Sequence, residues 1–369
     1  MKKFRILWGV CGIGLGHARR QLPVIQHFAQ SSEICIFTYG TGLSFFRKQF
    51  RGLLNIQVQE VSVPYWLGSP EGLDFAKSAQ HPQNAELNFA ANARAMDLAH
   101  RQIGQPHLVV SDYEPIAAQY AYAFQAPLVT LDQQSKYLGA CLPSKLAGTG
   151  FADEVMRLRM FLPKVEKRLA CSFFAIEQNE TAIERVKIIP PILDQGICNL
   201  QLQPDSDPLI LVYLSEQMKD IRQREALIDS LSSSRGARYA VYLPQGVTVG
   251  QKPDHVRFYK HGSALFLRHL ASCHGILATA GHSLLSEAMH LGIPVYALPL
   301  KLYEQQMNAQ VIRQGKFGQS GTPLTSRKLD NFIKKIGGYR RNILQDRDLL
   351  IRGNGLSIAC KELGKILTL

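Results

Sequence analysis

Residues 276–310, ILATAGHSLLSEAMHLGIPVYALPLKLYEQQMNAQ, carry the pattern that decides the fold of this chain. The apolar run 276–278 predicts a buried strand, which stops at a turn at Gly281. A helix is expected to begin at Ser283, whose hydroxyl can cap the first turn, and to end at Gly292. A second buried strand and another helix follow. This order is typical of an α/β protein with an anion site at the helix N-terminus.

Polar side chains at three later positions extend this site beyond the anion. Glu287 is expected one turn into the helix, on the same face as Ser283. A carboxylate there repels phosphate, so a pair of hydroxyl groups, such as those of a ribose, is its better ligand. Glu304 and Gln305 follow the next strand and offer an acceptor and an amide to further hydroxyl groups. An anion, a diol and a polyol in this order outline a nucleotide-sugar.

The stretch resembles the donor-binding signature of nucleotide-sugar glycosyltransferases with the two-domain GT-B fold. These include the UDP-glycosyltransferases and the lipid II-forming GlcNAc transferase. The matching positions are Gly281, Glu287-Ala288, Gly292-Ile293-Pro294, Pro299, Glu304-Gln305 and Met307-Asn308-Ala309. The alternative is an ordinary β-α-β-α segment of another α/β protein.

The resemblance assigns the donor diphosphate to the start of this helix. It implies that Gly281, His282 and Ser283 contact the phosphates, while the three acidic and amide residues keep the roles given above. Leu284 stands where the family has a phosphate-contacting Ser. Backbone N–H groups, together with His282 and Ser283, are therefore expected to supply that contact.

Composition and charge restrict the class of the protein. The chain has 369 residues, which is long enough for two domains with separate cores. Hydrophobic residues make up 46% and charged residues 19%, as in an ordinary soluble protein. Seven cysteines without CxxC spacing predict neither a disulfide framework nor a zinc site, and favour a reducing cytoplasm. The net charge of +13 favours anionic partners: nucleotide diphosphates, phospholipid-linked sugars, an acidic membrane leaflet or nucleic acid.

The amino terminus, MKKFRILWGVCGIGLGHARR, predicts a first strand at 4–10 and a loop rather than a signal peptide. Glycines at every second position disfavour a helix, Arg19 and Arg20 follow at once, and no small-x-small cleavage site is present. The sequence also lacks a run of about 18 apolar residues, so no membrane-spanning helix is expected.

The glycine loop at 12–16 is a weak signal for a dinucleotide site. Such a site requires the third glycine one residue later and an acid at the end of the second strand, which here ends in Thr38-Tyr39-Gly40. No redox cofactor is therefore predicted. Because glycines remove side chains from the loop, a substrate can approach it closely, and we assign Gly14 and Gly16 to donor binding.

His17 follows this loop, and Asp112 ends a later predicted strand at 107–112. The carboxyl ends of parallel strands share one edge of a sheet, so the two side chains are expected to meet despite their distance in sequence. An Asp bound to one imidazole nitrogen fixes the tautomer and leaves the other nitrogen as a base. The alternative is a His17 that stabilises its loop and an Asp112 that caps a helix.

This pair resembles that of UDP-glycosyltransferases, in which a His after the first Gly-rich loop is the base for the acceptor hydroxyl and an Asp pairs with it. The motif GxGxGHxxR, at 12–20, is most similar to a poorly characterised prokaryotic branch of glycosyltransferase-like proteins. The resemblance implies that His17 and Asp112 are the catalytic residues and that the protein is bacterial.

Strand and helix patterns recur on both sides of a Pro- and Gln-rich linker. They predict an α/β protein with two doubly wound Rossmann-like domains facing a cleft. The expected divisions are an N-terminal acceptor-binding domain at 1–190, a linker at 191–208 and a donor-binding domain at 209–350. Ser215 ends the first strand of the second domain and is expected to contact the diphosphate. In GT-B proteins the last helix often crosses back to the first domain, which the resemblance implies for 351–369.

Residues 156–168 mix basic and apolar residues at helical spacing, and 172–176 predicts the last strand of the first domain. We interpret the helix as packed on its domain with a solvated basic face. The alternative is a membrane-surface face that brings a lipid-linked acceptor to the site. Two Asp-x-Asp sequences, at 205–207 and 346–348, are interpreted as surface polar spacing, and no metal site is assigned.

Together these features predict a metal-independent, inverting glycosyltransferase that moves a sugar from a nucleotide diphosphate donor to an acceptor hydroxyl, with His17 as the base. The nucleotide-sugar is a co-substrate, and the charge favours an anionic or lipid-linked acceptor. Two alternatives stay open, namely a nucleotide-sugar epimerase of the same fold and a non-enzymatic binder of anionic ligands. Dispersed basic residues without an aromatic run disfavour nucleic acid as a partner. The expected location is the cytoplasm, with peripheral contact at the inner membrane face as an alternative.

Overall fold

A computed structural model shows two α/β units, each built on a parallel sheet. It describes residues 3–69, 71–146, 148–179, 184–215, 218, 221–244, 246–247, 250 and 253–368. Unit 1 comprises Met1–Ser172, Ile176–Asp194 and Gly353–Leu369, and unit 2 comprises Phe173–Ala175 and Gln195–Arg352. The predicted fold class, α/β with two Rossmann-like sheets, is confirmed.

Unit 1 contains a seven-stranded parallel sheet and two short antiparallel hairpins. Its strands are β1 (Phe4–Val10), β2 (Ser32–Thr38), β3 (Ile56–Glu60), β4 (Gly68–Ser69), β5 (Gly72–Leu73), β6 (Leu108–Asp112), β7 (Leu128–Asp132), β8 (Lys145–Leu146), β9 (Thr149–Gly150), β10 (Lys167–Cys171) and β11 (Val186–Ile189). The sheet order is β11-β10-β7-β6-β1-β2-β3. The chain runs outward from β1 through β2 to β3 and then returns to the other side of β1. The junction of β1 and β6 is therefore the topological switch point, where open α/β sheets bind ligands.

Unit 2 contains a six-stranded parallel sheet with the order β14-β13-β12-β15-β16-β17. Its strands are β12 (Leu209–Tyr213), β13 (Arg238–Leu243), β14 (Val256–Lys260), β15 (Gly275–Ala278), β16 (Val295–Ala297) and β17 (Gly318–Ser320). The chain again reverses direction beside its first strand, since β13 and β14 lie on one side of β12 and β15 on the other. The switch point of this sheet is the junction of β12 and β15.

The helices cover both sheets. They are α1 (Gly16–Ala29), α2 (Gly40–Gln49), α3 (Phe75–Ala79), α4 (Pro82–Ala85), α5 (Phe89–Ile103), α6 (Pro115–Ala123), α7 (Lys136–Gly139), α8 (Ala152–Phe161), α9 (Gln195–Cys198), α10 (Ile221–Ser233), α11 (Phe266–Ser272), α12 (His282–Leu291), α13 (Tyr303–Gln314), α14 (Ser326–Gln345) and α15 (Leu356–Leu367). No helix among the described residues is long and apolar enough to cross a membrane.

The core of unit 1 lies on both faces of its sheet. Along β1, the side chains of Ile6, Trp8 and Val10 point to one face and that of Leu7 to the other. The first face is covered by α1 and α15, and the second by α5 and α6. Parallel crossovers place helices on both faces, which is why β1 and β6 are buried almost throughout.

The C-terminal helix α15 belongs to unit 1, where it packs against α1. Its Ala359 and Leu363 join the apolar cluster of β1. Glu362 accepts hydrogen bonds from Lys167 at 2.5 Å, Lys365 at 3.0 Å and Lys187 at 3.1 Å. These bonds lower the pKa of Glu362 to about 2. The helix is therefore held to the sheet by apolar contacts and by the ion pairs of Glu362 with Lys167 of β10 and Lys187 of β11, since Lys365 lies in α15 itself.

The structure corrects the expected end of the first sheet. The strand predicted at 172–176 is wrong, because the parallel strand is β10 at Lys167–Cys171. Phe173–Ala175 instead belongs to unit 2, where Ala175 N donates to Leu349 O at 2.7 Å. Strand β10 can begin with two charged residues because each has an acidic partner. Lys167 pairs with Glu362 at 2.5 Å, and Arg168 pairs with Glu184 at 2.6 Å.

The predicted basic helix at 156–168 also ends earlier, at Phe161. Its Leu158 and Phe161 are buried, and Arg157 pairs with Glu154 at 2.8 Å. The charge of Arg157 is therefore neutralised by an ion pair within unit 1. Within the expected linker 191–208, the chain passes from unit 1 to unit 2 between Asp194 and Gln195. Helix α9 begins at Gln195.

Candidate functional site

The switch point of unit 1 brings together the two side chains that the sequence singles out. His17 lies in the first turn of α1, and Asp112 is the last residue of β6, in register with Val10. The Nδ1 atom of His17 is 2.8 Å from Oδ1 of Asp112. Parallel pairing of β1 with β6 thus closes a gap of 95 residues in sequence.

Two further side chains of α1, which the sequence analysis missed, bind the same carboxylate. Arg20 donates to Asp112 through Nη2 at 2.7 Å to each oxygen, and through Nε at 3.2 Å. Gln21 donates from Nε2 to Oδ2 of Asp112 at 2.7 Å and accepts from Trp8 Nε1 at 3.0 Å. The signal was present, since residues three and four positions after His17 share its helix face.

The hydrogen bonds around Asp112 determine the tautomer of His17. Asp112 is ionised and can only accept, so the proton at Nδ1 of His17 points to it. Arg20 Nη2 also lies 3.0 Å from this nitrogen, but it cannot donate to a protonated nitrogen and is directed to the carboxylate instead. The proton position is assigned from this network. It leaves Nε2 as the nitrogen that gains or loses a proton.

Exposure differs sharply within this cluster. The side chain of Asp112 is 0% exposed and that of Arg20 is 5% exposed, whereas that of His17 is 17% exposed. A substrate can therefore reach the imidazole but not the carboxylate. Asp112 acts on a substrate only through His17.

The charges in this cluster shift each other's titration. Burial by itself raises the pKa of Asp112, but Arg20 and His17 outweigh it and hold the pKa below the ordinary 3.8. Burial lowers the pKa of His17, whereas Cys11 and Asp112 raise it, and the result is a pKa of about 10. Burial opposes ionisation of Cys11, yet the charge of His17 lowers the pKa of that thiol. The imidazole is therefore protonated at neutral pH, and its neutral form, which predominates only above about pH 10, is a strong base.

The residue after Asp112 is held in an unusual conformation. Tyr113 has a φ of 59°, in the left-handed region that a bulky residue rarely adopts. Its ring stacks on the imidazole of His17 at 6.5 Å between centroids and meets the edge of Phe161 at 5.5 Å. Strain of this kind is concentrated at functional sites, where the surrounding packing maintains it.

Neighbouring carboxylates have structural partners. Glu114 caps α6 by accepting from the N–H groups of Ile116 and Ala117, both at 2.8 Å. The alternative in which Asp112 is a helix cap is therefore wrong. Asp132, at the end of β7, accepts from the Ser135 N–H at 2.7 Å and from its hydroxyl at 2.8 Å.

The local backbone structure explains the glycines of the loop at 12–16. A Cβ at Gly12 would lie 1.8 Å from the carbonyl oxygen of Tyr39, so only glycine permits this close approach. Gly14 has a φ of 68°, which favours glycine. Gly16 is the first residue of α1. The loop shape is thus explained by the chain itself, and the donor-binding role assigned to Gly14 and Gly16 stays a prediction.

In unit 2, the residues expected at the donor site follow the switch-point strands. Ser215 comes after β12, and Gly281 comes after β15. The expectation that Ser283 caps the helix is wrong, because α12 begins at His282 with Gly281 as its N-cap and no side-chain cap. The first turn therefore presents backbone N–H groups without a hydroxyl in front of them, although the N–H of His282 donates to Glu304.

Gly281 leaves room in front of this helix. Its φ of −71° is available to any residue, and a Cβ at this position would meet no atom within 4 Å. Nothing within the described structure therefore requires glycine at this position. The side chain of His282 is buried, 3.3 Å from the Ser286 hydroxyl and packed against Phe173 at 5.5 Å. Ser283 and Glu287 are half-buried.

The acidic and amide residues of α13 form hydrogen bonds to the loops that precede α12 and α13. Glu304 accepts from the His282 N–H at 3.3 Å, and Gln305 accepts from the Leu300 N–H at 2.9 Å. Asn308, to which the sequence analysis gave no role, is buried and donates to the carbonyl of Ala280 at 2.9 Å. The bonds of Glu304 and Asn308 hold α13 against the turn that precedes α12, whereas that of Gln305 fixes the loop directly before α13.

The structure gives the first Asp-x-Asp sequence a structural partner. Asp205 lies 2.7 Å and Asp207 lies 2.9 Å from the guanidinium of Arg238. Asp346 accepts from the N–H groups of Leu349 and Leu350. Across the described parts of the chain, no group of three His, Cys, Asp or Glu side chains is arranged to hold a metal ion.

Comparison with known families gives a match over most of the chain. The sequence model of the family described as "Glycosyl transferase family 1" matches residues 4–337. The matched region includes both strand-end sites. A search of curated proteins gives no significant match.

Solved structures are similar over the whole length of the chain. The calicheamicin glycosyltransferase CalG4 has a TM-score of 0.62 at 18% identity, with 100% of this chain and 99% of that chain covered. The glycosyltransferase SnogD from Streptomyces nogalater has a TM-score of 0.60 at 16% identity, with coverage of 99% and 100%. A UDP-glucosyltransferase from Polygonum tinctorium, capable of glucosylating indoxyl, has a TM-score of 0.68 at 12% identity, with coverage of 100% and 99%. At these identities the likeness shows the fold, and the expected GT-B fold is confirmed.

The network predicts a large cost for removing one partner of Asp112. Arg20→Met leaves the buried carboxylate without its guanidinium and is expected to reduce the free energy of unfolding by about 3 kcal/mol. Urea denaturation followed by fluorescence measures this change. Arg19→Met, at the adjacent exposed position, is the matched control and should change stability by less than about 0.5 kcal/mol. Equal effects of the two substitutions would contradict the role given to Arg20.

Proposed function

Since the chain belongs to glycosyl transferase family 1, we propose that it moves a sugar from a nucleotide diphosphate donor to a hydroxyl group of an acceptor, with inversion at the anomeric carbon. The observation that carries the proposal is the contact between the reachable imidazole of His17 and the buried carboxylate of Asp112 at a switch point. A polarised histidine beside a substrate-accessible loop is the arrangement that acceptor activation requires.

In the proposed reaction, Nε2 of His17 removes the proton of the acceptor hydroxyl. The acceptor oxygen then forms a bond to the anomeric carbon, and the bond between that carbon and the diphosphate oxygen breaks with its electron pair on the diphosphate. Asp112 stabilises the imidazolium through Nδ1. A single displacement from the face opposite the leaving group inverts the anomeric configuration. Arg20 and Gln21 position the carboxylate and do not touch the substrate.

The donor is proposed to bind at the start of α12. Backbone N–H groups at a helix N-terminus carry partial positive charge and suit a diphosphate. The space in front of Gly281 admits the phosphates, and Glu287 accepts from the ribose hydroxyls. Glu304 and Gln305 bind hydroxyls of the sugar. Because the fixed dipoles at the start of α12 neutralise charge on the leaving diphosphate, we propose that transfer needs no metal ion.

One of the similar solved structures favours a particular nucleotide. The relative from Polygonum tinctorium is a UDP-glucosyltransferase, so we propose a UDP-sugar as the donor. The net charge of +13 supports an anionic or lipid-linked acceptor. The seven cysteines are all free, which suits a cytoplasmic protein.

A thermal-shift screen against nucleotide-sugars tests the donor site. The cognate donor is expected to raise Tm by roughly 5 °C at a hundredfold excess over Kd, since binding to the folded state stabilises it. Gly281→Val should remove most of this shift while leaving the unliganded Tm unchanged, because its Cβ meets no atom. The control is Gly364→Ala, which also has free space and should keep the full shift. If no nucleotide-sugar stabilises the protein, or if the donor alone yields an epimer, the proposal fails.

Rate measurements against pH test the base. His17→Ala is expected to lower kcat at least about a hundredfold while the donor-induced thermal shift persists. In the unaltered protein, the transfer rate should rise with pH toward about 10, since His17 must lose its second proton before it can act. Cys11→Ala removes a neighbour that raises the pKa of His17, so the profile should move to lower pH by roughly one unit. A profile unchanged by Cys11→Ala, or full activity in His17→Ala, would exclude this mechanism.

A further inference from the structure

Unit 2 contains a basic groove that the proposed reaction does not use. It is a cavity of about 770 Å³ between the C-terminal end of α13, the edge strand β17 and one face of α14. Six cationic side chains line it: Arg313, Lys316, Lys328, Lys334, Lys335 and Arg341. The groove is separate from the donor loop, because β17 lies two strands away from β15 and none of the donor-loop residues lines it.

The charge in this basic groove is not compensated by the protein. No Asp or Glu occurs among the lining residues, and within the described ranges none of the six cations forms an ion pair with a carboxylate. The arginines of α8 and of β13, in contrast, have acidic partners. Six like charges around one cavity repel each other, and an anion that enters it relieves this repulsion.

The floor of the basic groove is kept open at the expense of helix stability. Gly338, which lines the basic groove, and its exposed neighbour Gly337 lie in the interior of the 20-residue helix α14, where each glycine costs about 1 kcal/mol relative to alanine. A Cβ at Gly338 would have only Arg341 near it, at 4.0 Å, so no packing requires glycine. The walls are fixed by hydrogen bonds from Gln319 to the Tyr339 hydroxyl and from Asn342 to the Lys316 carbonyl, both at 2.9 Å.

Protection of the sheet edge explains only part of this pattern. Lysines beside an edge strand prevent it from pairing with another chain. The opposite edge strand, β14, has two exposed cations, Arg257 and Lys260. Edge protection requires charge, but it does not require a concave surface or a helix-interior glycine, such as Gly338, that lines it.

We propose that the basic groove binds a phosphate-bearing anion through several lysine and arginine side chains at once. Phosphate oxygens accept hydrogen bonds from several cations together, and arginine and lysine are their usual partners. The same chemistry is offered by a soluble polyphosphate and by the headgroups of an anionic membrane. The site is independent of the donor site, so it does not rest on the proposed reaction.

The experiment uses the full chain and two probes. Isothermal titration with sodium tripolyphosphate tests a soluble ligand, and co-sedimentation with phosphatidylcholine vesicles containing phosphatidylglycerol, against pure phosphatidylcholine, tests a membrane surface. Binding to either probe, weakened by added salt, is the expected result. Tripolyphosphate binding without vesicle binding assigns a soluble ligand, and vesicle binding alone assigns a headgroup.

Three variants decide whether the basic groove is responsible. Lys334→Glu with Lys335→Glu is expected to weaken binding at least about tenfold. Arg257→Glu with Lys260→Glu makes the same change in net charge on the opposite edge strand and should leave binding within about twofold. Gly338→Leu fills the groove without changing charge, favours the helix, and should also weaken binding. Absence of binding to both probes, or equal losses in the groove and control variants, would overturn the proposal.

Discussion

The buried carboxylate of Asp112 is the interaction on which the first unit depends. Its burial is tolerated only because a guanidinium, an imidazole and an amide all donate to it. Those donors come from three positions on one face of α1, so the carboxylate also sets the rotation of that helix on the sheet. The backbone of Cys11 continues this connection, since its N–H donates to the Asp112 carbonyl at 2.9 Å. The hydrogen bond between His17 and Asp112 therefore stabilises the fold of unit 1 and also fixes the proposed base.

Both units use their sheets in the same way. In each sheet the chain starts at a central strand, β1 or β12, and continues to one edge of the sheet. It then returns to the other side of that central strand, which leaves a gap between the loops at the strand ends. In unit 1 this gap holds a titratable pair, and in unit 2 it holds a helix N-terminus with open space before it. The difference suits the two tasks that we propose for these sites, the activation of a hydroxyl group in unit 1 and the binding of an anion in unit 2.

Topology made the long-range pair predictable. The strand-like runs that precede the His17 loop and end at Asp112 imply parallel strands, and parallel strands bring their carboxyl ends together. The sequence did not indicate Arg20 and Gln21 as partners of Asp112, because a polar or basic residue on a helix is normally solvated. Only the packing of α1 shows that these two side chains are buried. The strand at 172–176 was wrong for the same reason, since ion pairs decide where a charged segment can enter a sheet. The basic groove depends on residues from three elements, and no local pattern in the sequence indicates it.

The protonation of His17 tests the central claim most directly. Nitrogen-15 NMR of the imidazole distinguishes its two nitrogens and follows each one with pH. We expect that Nδ1 stays protonated, that Nε2 titrates with a pKa of about 10, and that Asp112→Asn lowers this value. An unprotonated Nδ1 in the neutral ring, or a pKa near 6.5 in both proteins, would contradict it.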